Sequence, residues 1–192
     1  RQRQMCIRDR ITDVYIPGTV LRRDTMGNVT GMEFLKKIFY IQDGIMLSQI
    51  REISGIDGST LQNWTKRGWV ANAKLKKYDI DQLAHILIIN MLRSCMQLDK
   101  IAFLISYING RVYDRSDDII RDSLLYDYIC RILDELMNAD GETDEQTLKE
   151  CIERVTSDYE EKISGARRRL NTALEIIAVS YTHLTLPTKL EV

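Results

Sequence analysis

Between Gly55 and Val70 the chain reads GIDGSTLQNWTKRGWV. On a helix begun near Asp57, Ser59, Gln62, Asn63 and Lys66 fall on one side, while Leu61 and Trp64, three apart and preceded by Ile56, fall on the other. The outward types suit the reading of base edges. Asn and Gln can pair two-pronged with adenine, Ser adapts to either base, and Lys serves guanine or phosphate. Arg67 and, further on, Lys74, Lys76, Lys77 and Tyr78 form a basic stretch suited to phosphate, which gives salt-dependent affinity without sequence information. The chemistry such a set could do is non-covalent recognition of double-stranded DNA. The alternative is an ordinary solvated surface helix, since helical hairpins of this shape also occur in proteins that never touch DNA.

Such a set of side chains works only if the chain holds it rigidly. A helix-turn-helix needs a short first helix, a tight turn and a second helix that buries one stripe and shows the other. Leu47–Ser54 supplies the first helix, with Leu47, Ile50 and Ile53 three apart on one face. Gly55 suits the left-handed residue that closes a helix, and Asp57 can cap the next one. Gly68 then ends the second helix, and Val70–Tyr78 is left as a short extended wing.

The remaining sequence is helical in period. Helices are predicted over Thr30–Ile41, from Asp79 or Asp81 through Met91, over Leu98–Ile108, over Ser116–Met137, from the capping box at Thr143–Gln146 to about Glu161, and from about Ser164 onward. The fold class is therefore all-α, a helix-turn-helix embedded in a multi-helix domain with a C-terminal helical extension. We divide the chain into a helical domain over 11–111 and an acidic helical region over 112–178. Charge follows this division. Leu47–Tyr78 has six basic and two acidic residues, whereas Val112–Ala178 has nine basic and seventeen acidic ones. A basic front and an acidic back fit a polyanion partner on the front alone.

The two ends share no pattern with the middle. Met5–Asp9 (MCIRD) and Val179–Leu184 (VSYTHL) resemble translated sequencing-library adapter, so 1–10 and 179–192 are set aside as scars. The net charge then moves from −1 to −4, with 22 basic against 26 acidic residues. Three scattered cysteines, Cys95, Cys130 and Cys151, make no even disulfide set, and no apolar run is long enough to span a bilayer. A cytoplasmic protein with no membrane contact is the expectation.

Other chemistry-bearing residues are weaker candidates. His85 stands alone on an apolar helix and reads as a packing histidine. The three cysteines read as small hydrophobes, with a metal or redox sensor as the alternative. Asp114, Asp117, Asp118 and Asp122 read as a solvated helix start, with a cation site as the alternative, and Arg167–Arg169 as a salt-bridged face. No phosphate loop, nucleophile elbow or HExxH motif occurs, which points away from an enzyme and from any cofactor.

The run SQIREISGIDGSTLQNWTKRGWV followed by KLKKYDIDQLAHILIINMLRSCMQLDKIAFLISYING resembles the DNA-binding half of the MerR transcription regulators. Gly55, Ile56, Thr60, Leu61 and Gly68 match its turn, its recognition-helix start and its closing glycine. Lys76, Lys77 and Tyr78 match its wing, and Leu83, Leu98 and Ile101 its following helices. Asn63-Trp64 departs from that pattern, and the wing is short. Over nearly all of 11–178 the chain more closely resembles a bacterial family catalogued as domain of unknown function 1836, through LQNWTKRGWV, KKYDIDQLA, DRSDDII and GARRRL. The MerR resemblance implies a DNA-binding transcriptional regulator, although the family's long antiparallel dimerisation helix is not evident here. The acidic, apolar-striped C-terminal helices are expected to serve oligomerisation, as in a homodimer, ligand sensing or partner binding. The alternatives are a helical protein–protein adaptor and a ligand sensor.

Overall fold

A computed structural model describes residues 14–138 and 144–185. Eight α-helices run through them: α1 (Gly31–Ile38), α2 (Leu47–Ser54), α3 (Gly58–Lys66), α4 (Ile80–Leu92), α5 (Leu98–Asn109), α6 (Asp122–Asn138), α7 (Glu145–Val155) and α8 (Ala166–Thr185). One two-stranded antiparallel sheet accompanies them. It consists of β1 (Ile45–Met46) and β2 (Lys77–Tyr78), with Ile45 opposite Tyr78 and Met46 opposite Lys77. The fold is all-α, as expected, with this short ladder added.

The apolar pattern decides which helix lies at the centre. LAHILIINML is apolar on every side, so α4 has no face fit for water. It is buried at every residue from Asp81 to Ile89. Asp79 starts it with a capping box, accepting the Gln82 N–H at 2.8 Å while the Gln82 side chain accepts the Asp79 N–H at 3.0 Å. α6 packs along α4 and α1, and α7 and α8 close the far side.

The front and the acidic back share one hydrophobic cluster, from Ile16, Leu35 and Trp64 through Leu87 to Tyr128, Ile152 and Leu174. Polar ties cross it. Tyr126 donates its hydroxyl to the Pro17 carbonyl at 2.7 Å, and Asp134 takes both the Arg23 guanidinium at 2.7 Å and the Thr30 hydroxyl at 3.0 Å.

Several boundaries differ from the sequence reading. α6 starts at Asp122, six residues after Ser116, because the Asn109 side chain takes both the N–H and the C=O of Ile120 and holds that residue outside the helix. The capping box expected at Thr143 gives way to Asp144, whose carboxylate accepts the Thr147 N–H at 2.7 Å. The boundary at 178 falls inside α8, which continues to Thr185, with Tyr181 partly packed on the core. The segment 1–10 and residues 186–192 lie outside the described residues.

Candidate nucleic-acid interface

α2 and α3 are joined by three residues, and each bond of the join has a sequence reason. Gly55 takes φ +70°, its N–H donates to the Arg51 carbonyl at 2.9 Å, and an added Cβ would meet Val20 Cγ1 at 2.6 Å. Ser54 donates to the Ile50 carbonyl and accepts the Ile56 N–H, so its hydroxyl ties the end of α2 to the turn. Asp57 then caps α3, accepting the N–H and hydroxyl of Thr60 at 3.0 Å each and the hydroxyl of Ser59. Those hydrogen bonds, the one from Ser59 foremost, hold its carboxyl down at about 2.

The inner face of α3 is Leu61 and Trp64, each 1% exposed, among Ile50, Ile53 and Ile56. Burying such side chains contributes roughly 2–3 kcal/mol apiece. The far end closes by a Schellman pattern. The Trp69 N–H reaches the Trp64 carbonyl and the Gly68 N–H the Thr65 carbonyl, both at 3.0 Å, with Gly68 at φ +74°.

Outward from α3, Gln62, Asn63, Lys66 and Arg67 are all exposed. The side chains of Gln62, Asn63 and Lys66 have no hydrogen-bond or ion-pair partner among the described residues. Arg67 lies over the Trp69 ring, 5.0 Å from its centroid. Ser59 is exposed too, but its hydroxyl is committed to the Asp57 cap, so it helps start the helix as well as facing outward.

The basic stretch is a two-residue hairpin. Lys74 and Lys77 exchange both backbone hydrogen bonds at 2.9 Å, and Leu75 and Lys76 between them take φ +49° and +64°. Two consecutive positive φ values are the type I′ pattern, which normally calls for Asn-Gly. Lys74, Lys76 and Lys77 are exposed, and Leu75 at the tip is 97% exposed. Pairing of β2 with β1 ties this hairpin to the start of α2.

Tyr78 departs from the rest of the expected set. It is a core residue, 9% exposed, because register puts it opposite buried Ile45. Its ring is spent on packing, so Tyr78 stands outside the exposed set and we withdraw it from the contact set.

Sequence reasoning underrated two groups behind this face. His85 is 6% exposed and bridges the turn after α3 to the start of α6. Its Nε2 donates to the Trp69 carbonyl at 2.8 Å, and its Nδ1 lies 3.3 Å from Asp122. Burial opposes its charged form, but Asp122 and the Trp69 carbonyl outweigh that and raise its pKa. Asp81 accepts the Ser123 N–H at 3.0 Å and the Arg121 guanidinium at 2.9 Å. Burial pushes its carboxyl up, yet these hydrogen bonds bring it below the usual range. Nothing in one sequence marks a lone His or Asp as a bridge between distant helices.

The basic triplet is also different from its sequence reading. Arg167 donates to the Thr156 and Tyr159 carbonyls and Arg169 to the Ile108 carbonyl at 2.8 Å, a backbone clamp where a salt-bridged face was expected. Cys130 and Cys151 are buried as small hydrophobes, and burial pushes both thiols up to about 12.

A family model described as "Domain of unknown function (DUF1836)" matches residues 34–129. The chain belongs to this family. The matched DUF1836 segment runs from within α1 through α2, α3, the hairpin, α4 and α5 into α6, so it contains every residue of the exposed set above. The chain is also 28% identical over 117 residues to "Uncharacterized protein YkrK" of Bacillus subtilis (strain 168), an overlap of 58% of this chain and 50% of the relative. It thus spans about half the length of the curated relative it matches. No solved structure matches.

Proposed function

We propose that this protein is a DNA-binding transcriptional regulator. In this reading α2 and α3 form a MerR-like helix-turn-helix, α3 enters the major groove, and the Lys74–Lys77 hairpin is its wing. The observation that carries the reading is the face of α3. Gln62, Asn63 and Lys66 stand exposed and, among the described residues, unpartnered, opposite a stripe that packs α3 firmly, and three exposed lysines follow on a hairpin tied to α2. Gln62 and Asn63 would read adenine edges, Lys66 guanine or phosphate, and Arg67, Lys74, Lys76 and Lys77 phosphate.

The test is selection from a random duplex library, followed by anisotropy titrations across salt. With about five phosphate contacts the log–log salt slope should be about −4.5. A Gln62→Ala/Asn63→Ala/Lys66→Ala variant should lose its preference for the selected site. Lys74→Ala/Lys76→Ala/Lys77→Ala should weaken all sequences alike and flatten the slope. No binding by the parent at low salt, or selection unchanged by the first variant, overturns the reading.

A second reading, a helical protein–protein adaptor, is favoured by Tyr40 and Ile41, which are 86% and 90% exposed after α1. Its binding would respond little to salt. Either reading accommodates a homodimer through the C-terminal helices, where Ile176 of α8 is exposed.

A further inference from the structure

Behind α3 a cleft of about 380 Å³ opens between four parts of the chain. Gly68 and Trp69 form one wall, His85 and Ile89 of α4 the floor, Phe103 and Ser106 of α5 a second wall, and the loop Gly110–Tyr113 the rim. The volume is that of a small-ligand pocket. A second, narrow pocket of about 20 Å³, room for one water, shares His85 and Arg111 with it and is lined further by Gln82, Asn109 and Asp118.

Three features of the outer chamber define an occupant. First, its aromatic side chains are offered outward. Phe103 is 71% and Tyr113 60% exposed, although both line the chamber, and the Tyr113 ring stands over Gly68, where an added Cβ would lie 3.9 Å away. Second, its ionisable lining, Tyr113 apart, is Arg111 and His85, with no carboxylate. Third, Arg111 is exposed at the rim and makes no ion pair within 4 Å among the described residues, the Asp114 carboxylate acting on it only from farther off. Offset stacking on the aromatics and a charge-assisted hydrogen bond from a guanidinium are complementary to a planar ring bearing an acid.

We infer that this cleft binds a small aromatic carboxylate, its ring between Phe103 and Tyr113 and its carboxylate on Arg111. The site is separate from the outward face of α3, and the inference does not depend on DNA binding. It does place the ligand against the Gly68–Trp69 turn that closes α3, the turn whose Trp69 carbonyl is held by His85.

1-Naphthoate is the probe, titrated into the full chain by calorimetry and by Trp69 fluorescence, with 1-naphthylmethylammonium as the cationic counterpart. Saturable one-to-one binding of the acid and none of the amine is the expected result. Arg111→Ala should weaken the acid about tenfold, the scale of one charge-assisted hydrogen bond. Phe103→Ser should also weaken it, and Ser106→Trp, which fills the chamber from an exposed position, should abolish it with the melting temperature unchanged. Absence of saturable binding by the parent, equal binding of acid and amine, or indifference to Arg111→Ala overturns the inference. None of these outcomes bears on the DNA titrations.

Discussion

Asp118 and His85 line the same narrow chamber and respond to pH in the same sense. Burial, with Asp122 beside it, pushes the Asp118 carboxyl from 3.8 up to about 6. The stability linked to Asp118 is therefore complete below about pH 4 and lost as pH rises through about 6. His85 is raised above its ordinary 6.5, so its share is complete below that value and lost as pH climbs through the folded pKa. Groups lowered in the fold, such as Asp57 at about 2, act at the acid end, outside this window. Urea midpoints of the parent should fall between pH 4.5 and 7.5. Asp118→Asn should flatten the lower part of the curve and stabilise at pH 7 by about 1 kcal/mol, solvent screening allowed for. His85→Gln should flatten the upper part.

The Leu75–Lys76 turn shows what an element can hide in sequence. Both residues occupy a left-handed backbone that side chains disfavour, at a cost of order 1 kcal/mol or more each. Leu75→Asn/Lys76→Gly, the pair a type I′ turn prefers, should raise stability by about 1 kcal/mol in urea unfolding, with the circular dichroism unchanged. Helices were legible because their stripes repeat: Leu47–Ile53, Asp57 as cap, Asp79 as start and Leu98–Ile108 all lie within a residue or two of the observed elements. β1 and β2 were not, since two residues cannot display an alternation. That loss misassigned Tyr78, whose inward face follows from pairing with Ile45 and from nothing local. The α6 start was lost for a similar reason, because Asn109 acts on Ile120 from eleven residues away.

At the scale of the molecule, the charge division into front and back does not divide the core. Tyr126 of α6, fully buried, hydrogen-bonds Pro17, and Asn90 of α4 donates to the carbonyls of Gly18 and Ser54, so the N-terminal segment is fastened to both central helices. One cooperative transition is expected. Urea curves from tryptophan fluorescence, which reports the front, and from far-UV circular dichroism should coincide. Tyr126→Phe should shift both equally, by about 1 kcal/mol, since it leaves the buried Pro17 carbonyl unpaired. The outward residues of α3 were legible because exposure follows from helical phase once Leu61 and Trp64 point inward. The cleft behind them was not, because its walls come from four stretches between Gly68 and Tyr113 that only tertiary packing assembles.

The enclosure of α4 on every side has a consequence in time. Water reaches its backbone amides only when the whole chain opens, so deuterium uptake there should track global unfolding and be the slowest in the molecule. The Lys74–Lys77 hairpin, exposed along its length, should exchange orders of magnitude sooner. The proposed DNA-reading surface thus ends in a fast edge and rests on a slow anchor beneath it, and added duplex DNA should slow exchange at the edge while leaving the anchor as it was.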